Sequence, residues 1–171
     1  DYTTEERILL DVEVIKEDGS KHYLAVNDAV VARGQLSKTI DLHLTLDGDE
    51  ISKYRADGLL FATPTGSTAY SLSAGGPILA PKMECILMTP VCPHSLFSRS
   101  VLFSGESELS VHVKIPEECC CVLTIDGEKN VPVLATDRVV IRKSDLKLKL
   151  ALLHNRNFYK LLNEKLKERD F

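Results

Sequence analysis

Apolar and polar residues alternate along most of the chain, which is the pattern of strands with one buried and one solvent-facing side. The clearest run covers residues 40–47, where Ile40, Leu42 and Leu44 alternate with polar residues. A second run of this kind covers residues 109–115. Many short segments of this type, separated by turn residues such as Asp-Gly, predict a mainly β, β-sandwich-like fold.

Two segments depart from this pattern. Residues 158–166 carry apolar side chains at helical spacing, beginning with Phe158, and predict an amphipathic C-terminal helix whose apolar stripe joins the core. Pro90 and Pro93 are expected to exclude regular structure from their segment, because proline has no backbone N–H to donate.

The stretch from Asp57 to Pro81 is rich in glycine, proline and small residues. Its first part, Leu59–Ala62, is a continuous apolar run and predicts a short buried strand. Residues 67–74 are small or compatible with a helix, and the hydroxyl of Thr65 or Ser67 is predicted to cap it. The sequence therefore predicts a strand, a tight turn and a short helix of one or two turns.

This turn suits a polar ligand, because the first amides of a helix lack intrahelical partners and carry the positive end of the dipole. Small side chains at Gly66, Ser67 and Ala69 are expected to let a ligand approach the backbone. The ring of Tyr70 could pack on a base. The alternative is a short capped helix that serves packing alone, and the local pattern does not separate the two.

A polar pair, Asn27 and Asp28, lies between two apolar runs. Burying an amide or a carboxylate without partners costs several kcal/mol. The pair is therefore expected either to cap local structure or to face a cleft at a strand end.

Composition narrows the class of protein. The 171 residues, 44% hydrophobic and 27% charged, are expected to form a single globular domain over 1–171. A net charge of −4 offers no general attraction for nucleic acid or an anionic membrane, so neither is an expected partner. Without a long apolar run or a signal peptide, the expected location is cytoplasmic. The five cysteines include no Cys-x-x-Cys pair, and no metal site is expected.

The string Asp-Gly-(apolar)-Thr-Pro-Thr-Gly-Ser-Thr-Ala-Tyr-Ser-Leu-Ser-Ala-Gly-Gly-Pro, starting at Asp57, resembles the signature of the NAD kinases. These enzymes phosphorylate the 2′-hydroxyl of the adenosine ribose of NAD to give NADP. A match over roughly twenty ordered positions is far more specific than a lone glycine motif. Asn27-Asp28 is similar to the family's Asn-Glu or Asn-Asp pair, and Arg55-Ala56-Asp57-Gly58 is similar to its Arg-x-Asp-Gly.

The resemblance implies a set of NAD-binding residues. Asn27 and Asp28 would bind ribose hydroxyls and the nicotinamide end, and Arg55 could reach the site across a subunit boundary. Lys38 stands where the family often has histidine, and Glu128 where it often has glutamine. The full set is Asn27, Asp28, Lys38, Arg55, Asp57, Thr68, Ala69, Tyr70, Ser71, Leu72, Ser73 and Glu128.

The resemblance extends over essentially all of this chain but only the carboxy-terminal half of the family. The amino-terminal half carries a Gly-Gly-Asp-Gly motif with the implied general base, and that string does not occur here. We therefore expect the GGDG-bearing domain to be absent, no catalytic residue in these 171 residues, and an inactive isolated fragment. Mg²⁺ and the phosphate donor, ATP or polyphosphate, would bind through the other half, and this chain alone would bind no cofactor. A homo-oligomer is also implied.

Three functions remain open at this point. The first is the NAD-binding and oligomerisation half of an NAD kinase. The second is a non-catalytic β-sandwich interaction module, in which the Thr-Pro-Thr-Gly stretch serves packing. The third is a lipid kinase of the same superfamily, whose members are not expected to keep the Thr-Ala-Tyr string.

Overall fold

The computed structural model describes residues 2–34, 39–95, 98–115, 121–152 and 157–168. Two six-stranded antiparallel sheets pack against each other, which confirms the predicted mainly β, sandwich-like fold. The strands are β1 Thr3–Lys16, β2 Gly19–Ala25, β3 Asp28–Arg33, β4 Ile40–Leu46, β5 Asp49–Ala56, β6 Gly58–Ala62, β7 Cys85–Val91, β8 Val101–Ser104, β9 Leu109–Lys114, β10 Cys121–Ile125, β11 Lys129–Val133 and β12 Arg138–Leu152. The helices are α1 Tyr70–Ser73 and α2 Phe158–Glu168, and a 3-10 turn covers Thr65–Thr68.

The strand order shows how the chain moves between the sheets. The first sheet has the order β2-β1-β12-β9-β4-β5, and the second has the order β11-β10-β3-β6-β7-β8. The chain crosses from the first sheet to the second between β2 and β3, between β5 and β6, and again between β9 and β10. Val26 and Asn27 form the first of these corners, and Asp57 forms the second. Polar residues can occupy both corners because a corner lies at the rim of the sandwich rather than in its core.

The core lies between the sheets and is built by the alternating residues of both. Leu42 and Leu44 of β4 face Leu59 and Phe61 of β6 within one cluster, and all four are fully buried. Burying an aliphatic or aromatic side chain of this size stabilises the fold by roughly 1.5–3 kcal/mol. The period-two pattern of the sequence therefore reports the inner face of each strand.

A second apolar cluster lies on the outer face of the second sheet. It contains Leu60 and Ala62 of β6 and Leu87 of β7, covered by Leu79 from the segment after α1. The segment of residues 63–80 thus closes over the sheet, and every residue of β6 is buried. This explains why Leu59–Ala62 reads as a continuous apolar run and not as an alternating one.

Pro90 is part of β7, so the expectation that it excludes regular structure is wrong. It lies opposite Leu59 of β6 in the ladder. On the other side of β7, β8 pairs only as far as Met88, so β8 has no carbonyl group opposite residue 90 that would need a backbone N–H donor. A proline is tolerated where the missing N–H has no strand partner.

The C-terminal helix forms as predicted, but the described side chains of its apolar stripe do not join the core. Phe158, Leu161 and Leu162 are only half-buried, and Tyr159 is 59% exposed. Helical spacing alone does not reveal whether another part of the protein covers the stripe. The prediction that this stripe is buried was wrong for that reason. No helix within the described ranges is long and apolar enough to cross a membrane.

Candidate functional site

A cavity of about 400 Å³ opens on the outer face of the second sheet, beside α1. Its floor comes from β3 and β10, one wall comes from the start of α1, and the other comes from the turn after β10. The lining residues are Asn27, Asp28, Val30, Ala32, Ala69, Tyr70, Thr124, Asp126 and Gly127. Four of the residues predicted to bind NAD therefore share one space: Asn27, Asp28, Ala69 and Tyr70.

The corner at Asn27 is fixed by the segment that follows β6. The backbone N–H of Thr63 donates to the carbonyl oxygen of Asn27 at 2.9 Å. The Thr63 hydroxyl donates to the carbonyl oxygen of Val26 at 2.7 Å and accepts from the N–H of Gly66 at 3.0 Å. Thr63 is thus the hydroxyl that caps the first turn, and the expectation that Thr65 or Ser67 would do so is wrong.

Gly66 packs directly on Asn27. A Cβ atom added at Gly66 would lie 2.0 Å from the carbonyl oxygen of Asn27 and 2.4 Å from its carbonyl carbon. Real Cβ atoms do not approach other heavy atoms so closely. The glycine is therefore required for contact between two segments of the chain.

Ser67 also serves packing. It is fully buried, its hydroxyl donates to the carbonyl oxygen of Pro64 at 2.7 Å, and that hydroxyl accepts from the N–H of Leu79 at 3.0 Å. The expectation that Gly66 and Ser67 leave room for a ligand is wrong, because the protein itself fills that room. The amides of the first turn are likewise paired, Gly66 with Thr63 and Ser67 with Pro64.

Ala69 and Tyr70 are the residues of this segment that face the cavity. Ala69 separates the 3-10 turn from α1, with φ −92° and ψ −129°, so the short helix is broken into two pieces. Tyr70 is 47% exposed at the rim. An exposed ring beside a cavity whose neighbouring lining residues are small can cover a flat ligand without moving any core residue.

Asp126 ties the turn after β10 to the corner at residues 26–28. Its carboxylate accepts three successive backbone N–H groups, from Val26 at 2.8 Å, Asn27 at 2.7 Å and Asp28 at 3.0 Å. Its own N–H donates to the carbonyl oxygen of Asp28 at 2.9 Å. The sequence offers Asp126-Gly127 as one of several Asp-Gly turns, so nothing in it singles out this residue.

Asp28 is a buried carboxylate at the edge of the cavity, only 5% exposed. Burial raises the pKa of Asp28 to about 6, and the neighbouring Asp126 carboxylate contributes to the increase. Within the described part of the chain, neither the Asp28 carboxylate nor the Asn27 side-chain amide has a hydrogen-bond partner. Both are therefore available to a ligand, and perturbed carboxylates in cavities are typical of functional sites.

Other predicted NAD-binding residues lie beside the cavity but not in its lining. Ser71 is fully buried, and its hydroxyl lies 3.1 Å from that of Thr89, a contact that packs α1 on β7. Thr68 and Leu72 are half-buried, and Ser73 is exposed. Their predicted contacts with NAD remain predictions.

Arg55 and Asp57 are two positions apart in the sequence but do not share a face of one strand. β5 ends at Ala56 in the first sheet, and β6 begins at Gly58 in the second. The Arg55 guanidinium pairs with Asp41 at 2.8 Å on the first sheet, whereas Asp57 pairs with Arg33 at 2.8 Å. Neither residue lines the cavity of its own chain.

The last two predicted contacts have different outcomes. Lys38 lies outside the described residues. Glu128 is exposed on the turn between β10 and β11, and it is Asp126 and Gly127 of that turn that reach the cavity. The predicted contact of Glu128 with NAD remains a prediction.

The carboxylates of the cavity do not suit Mg²⁺. Magnesium requires near-octahedral oxygen ligands and is usually bound by carboxylates together with water and phosphate. Both oxygens of Asp126 already accept backbone N–H groups. Among the described residues, no three His, Cys, Asp or Glu side chains form a group that could hold a metal ion.

The sequence of this chain is similar to those of known proteins. The family model described as the ATP-NAD kinase C-terminal domain matches residues 26–153. The NAD kinase of Natranaerobius thermophilus is 39% identical over 166 residues, which is 96% of this chain and 58% of that protein. The chain therefore spans less than two thirds of the length of this curated relative.

Two solved structures share the fold. Yeast NADH kinase complexed with NADH superposes with a TM-score of 0.86 at 28% identity, covering 98% of this chain and 51% of that one. An NAD kinase from Archaeoglobus fulgidus in complex with ATP superposes with a TM-score of 0.79 at 27% identity, covering 96% of this chain and 60% of that one. The likeness extends over almost every described strand.

Proposed function

Since the chain belongs to the ATP-NAD kinase C-terminal domain family, we propose that it is the NAD-binding half of an NAD kinase. The full enzyme would transfer a phosphoryl group to the 2′-hydroxyl of the adenosine ribose of NAD. The observation that carries the proposal is the cavity, which brings Asn27 and Asp28 together with Ala69 and Tyr70 from a distant part of the chain. The side chains of Asn27 and Asp28 at its edge have no hydrogen-bond partner among the described residues.

The size and charge of the cavity suit one nucleoside of the dinucleotide. Its volume of about 400 Å³ falls at the lower end of small-molecule sites, which span about 300–1,000 Å³. Asp28 and Asp126 give it a negative field, which disfavours phosphate inside it. The pyrophosphate of NAD would therefore lie outside, and a sugar with its base would enter.

Each lining group would have a distinct role toward that nucleoside. The ionised Asp28 carboxylate accepts hydrogen bonds from ribose hydroxyls, and Asn27 both donates and accepts. Val30, Ala32 and Ala69 offer an apolar surface for the base. Tyr70 packs over it at the rim, as its exposed ring allows.

Phosphoryl transfer also requires a proton acceptor, a phosphate donor and a cation that neutralises the transferred group. We propose that the general base and the donor site, for ATP or polyphosphate, belong to the amino-terminal half of such enzymes. Mg²⁺ would come with the phosphates, since the cavity carboxylates do not suit it. The chain itself would bind and orient the hydroxyl-bearing substrate.

We also propose that the working form is a homo-oligomer. Arg55 lies on the first sheet, 65% exposed and paired with Asp41, away from the cavity of its own chain. It can contribute to a nucleotide site only if that site belongs to a neighbouring copy.

Substituting both Asn27 and Asp28 with alanine tests the proposed site. Two residues that bind ribose hydroxyls are removed, so the affinity for NAD should fall about a hundredfold, since hydrogen bonds to charged groups contribute about 1.5–3 kcal/mol each. Isothermal titration calorimetry with NAD measures the change, and circular dichroism verifies folding. Asp49→Ala, at an exposed position of β5, is the control and should bind as the wild type does. If the wild-type chain binds no NAD, the interaction-module alternative is favoured.

The chain alone should not sustain catalysis. With NAD, ATP and Mg²⁺, these 171 residues are expected to form no NADP above background, because they contain no Gly-Gly-Asp-Gly motif. A coupled assay with an NADP-specific dehydrogenase measures the product. Sustained turnover would mean that the general base lies in this chain after all.

A further inference from the structure

The geometry points to Asp126 as a positioning residue of the cavity: it holds residues 26–28 so that Asn27 and Asp28 face the ligand, and its charge makes ligand binding depend on pH. This inference rests on the proposed function, because its ligand is NAD. It goes further by assigning a role to a residue that no sequence motif had singled out. The two parts of the role are geometric and electrostatic, and each has its own measurement.

The geometric part follows from four hydrogen bonds between Asp126 and the corner. The carboxylate accepts from the N–H groups of Val26, Asn27 and Asp28 at 2.7–3.0 Å, and the Asp126 N–H donates to Asp28. Three successive amides bound to one carboxylate leave the backbone of the corner little freedom. The side chains of Asn27 and Asp28 project from this backbone, so Asp126 sets their direction.

The backbone of Asp126 explains which substitution can test this. Its φ is +49°, and Gly127 follows with φ +72°. Asparagine tolerates positive φ nearly as well as aspartate does. Asp126→Asn therefore keeps the turn, but it replaces one carboxylate oxygen with an NH₂ group that opposes a backbone N–H of the corner.

The electrostatic part follows from the two carboxylates that line one small cavity. Asp28 lies on β3. The charged group that faces it is Asp126, on the turn after β10. From α1, Tyr70 is the ionisable side chain that lines the same cavity. On the strand paired with β3, Ala62 of β6 lies opposite Asp28 and carries no charge. The negative charge of Asp126 disfavours the ionised form of Asp28.

The sign of the pH dependence is fixed by this arrangement. Ionised Asp28 accepts hydrogen bonds from ribose hydroxyls, whereas protonated Asp28 loses part of this capacity. Since the pKa of Asp28 is about 6, NAD binding should be strongest above that pH and should weaken as the pH falls through it. Removing the charge of Asp126 lowers the pKa of Asp28, so the midpoint of this decline should move to lower pH.

The experiment measures NAD binding by calorimetry from about pH 5 to about pH 8 for the wild type and Asp126→Asn. Above pH 7 the variant should bind about tenfold more weakly, because the corner is held less firmly. Its midpoint should also lie below that of the wild type. Asp47→Asn is the matched control: Asp47 also has positive φ, precedes a glycine and accepts a backbone N–H, but it lies between β4 and β5.

A titration of the free protein separates this inference from the proposed function. Carboxyl ¹³C shifts of Asp28, followed by NMR without nucleotide, should show a lower pKa in Asp126→Asn than in the wild type and in Asp47→Asn. A folded Asp126→Asn variant with unchanged NAD affinity, unchanged midpoint and unchanged Asp28 titration overturns the inference alone. Failure of the wild type to bind NAD contradicts the proposed function as well.

Discussion

Gly66→Ala should destabilise the protein by at least about 3 kcal/mol and should abolish nucleotide binding in whatever fraction stays folded. The added Cβ would lie 2.0 Å from the carbonyl oxygen of Asn27, so the 63–66 segment and the corner must move apart. Overpacking against side chains costs about 1–3 kcal/mol, and a backbone carbonyl yields less readily than a side chain. The hydrogen bonds from Thr63 to Val26 and Asn27 would stretch with this movement.

Urea unfolding followed by circular dichroism measures this loss. Gly75→Ala is the control, because Gly75 has φ +88° but no heavy atom within 4 Å of an added Cβ. Gly75→Ala should therefore lose only the stability that a positive φ costs a residue with a Cβ atom, about 1 kcal/mol. If Gly66→Ala costs no more than Gly75→Ala, then close contact between Gly66 and Asn27 is not what fixes the corner.

Asp28→Asn should stabilise the fold while it weakens the binding of NAD. In the folded chain, burial and Asp126 raise the pKa of Asp28 to about 6 from its ordinary value of 3.8. An ionised Asp28 therefore costs stability near neutral pH, on the order of 1–2 kcal/mol once screening at the cavity mouth is included. Asparagine removes that cost, and its NH₂ group can face the Asp126 carboxylate. The affinity for NAD should fall at least tenfold, because a charged acceptor for ribose hydroxyls is lost.

The pH dependence of this gain follows from the raised pKa. At pH values well below 3.8 Asp28 is protonated in both the folded and the unfolded chain, so it contributes no penalty, and near pH 4 the penalty is still small. As the pH rises from 3.8 to about 6, the unfolded chain ionises Asp28 before the folded chain does, so stability is lost relative to the variant across this range and the loss is complete above it. Urea unfolding near pH 7.5 and near pH 4 should show an advantage of Asp28→Asn that is large at the higher pH and small at the lower one. A variant less stable than the wild type at both values would contradict this account.

Most of the architecture was accessible from the sequence because burial in a sandwich imposes a period of two. The strands around Leu42, Leu44 and Leu59 were predicted from their residues alone, and the sheet assignments confirm them. Burial of the C-terminal helix was not accessible, since a stripe at helical spacing does not reveal whether a partner covers it. Pro90 misled the prediction because its effect depends on where the neighbouring strand ends, which no local pattern records.

Only part of the candidate site could be predicted from the sequence, because some of its residues meet only through the fold. Asn27 and Asp28 were noticed because a polar pair interrupts apolar runs, and Tyr70 because of the string around it. Asp126 could not be recognised, since its role depends on contact with residues about a hundred positions earlier in the chain. The separation of Arg55 from Asp57 could not be predicted either, because the change of sheet at residue 57 has no signature in the spacing of side chains.

The roles of Gly66 and Ser67 show a more general point. Small residues next to a suspected ligand site suggest room for the ligand, yet here they let two segments of the protein pack on each other. The tight packing of residues 63–67 holds Asn27 in place, while Ala69 and Tyr70 remain open to the cavity. Contact with a ligand is thus expected at Ala69 and Tyr70, which the sequence also suggested, and not at Gly66 or Ser67.

A crystal structure of the chain with NAD tests the central claim most directly. The account predicts one nucleoside of the dinucleotide inside the cavity, its ribose hydroxyls within hydrogen-bond distance of Asn27 and Asp28, its base beside Tyr70 and its pyrophosphate outside. NAD bound at any other surface, or a cavity closed by the protein's own side chains in the presence of saturating NAD, would contradict it.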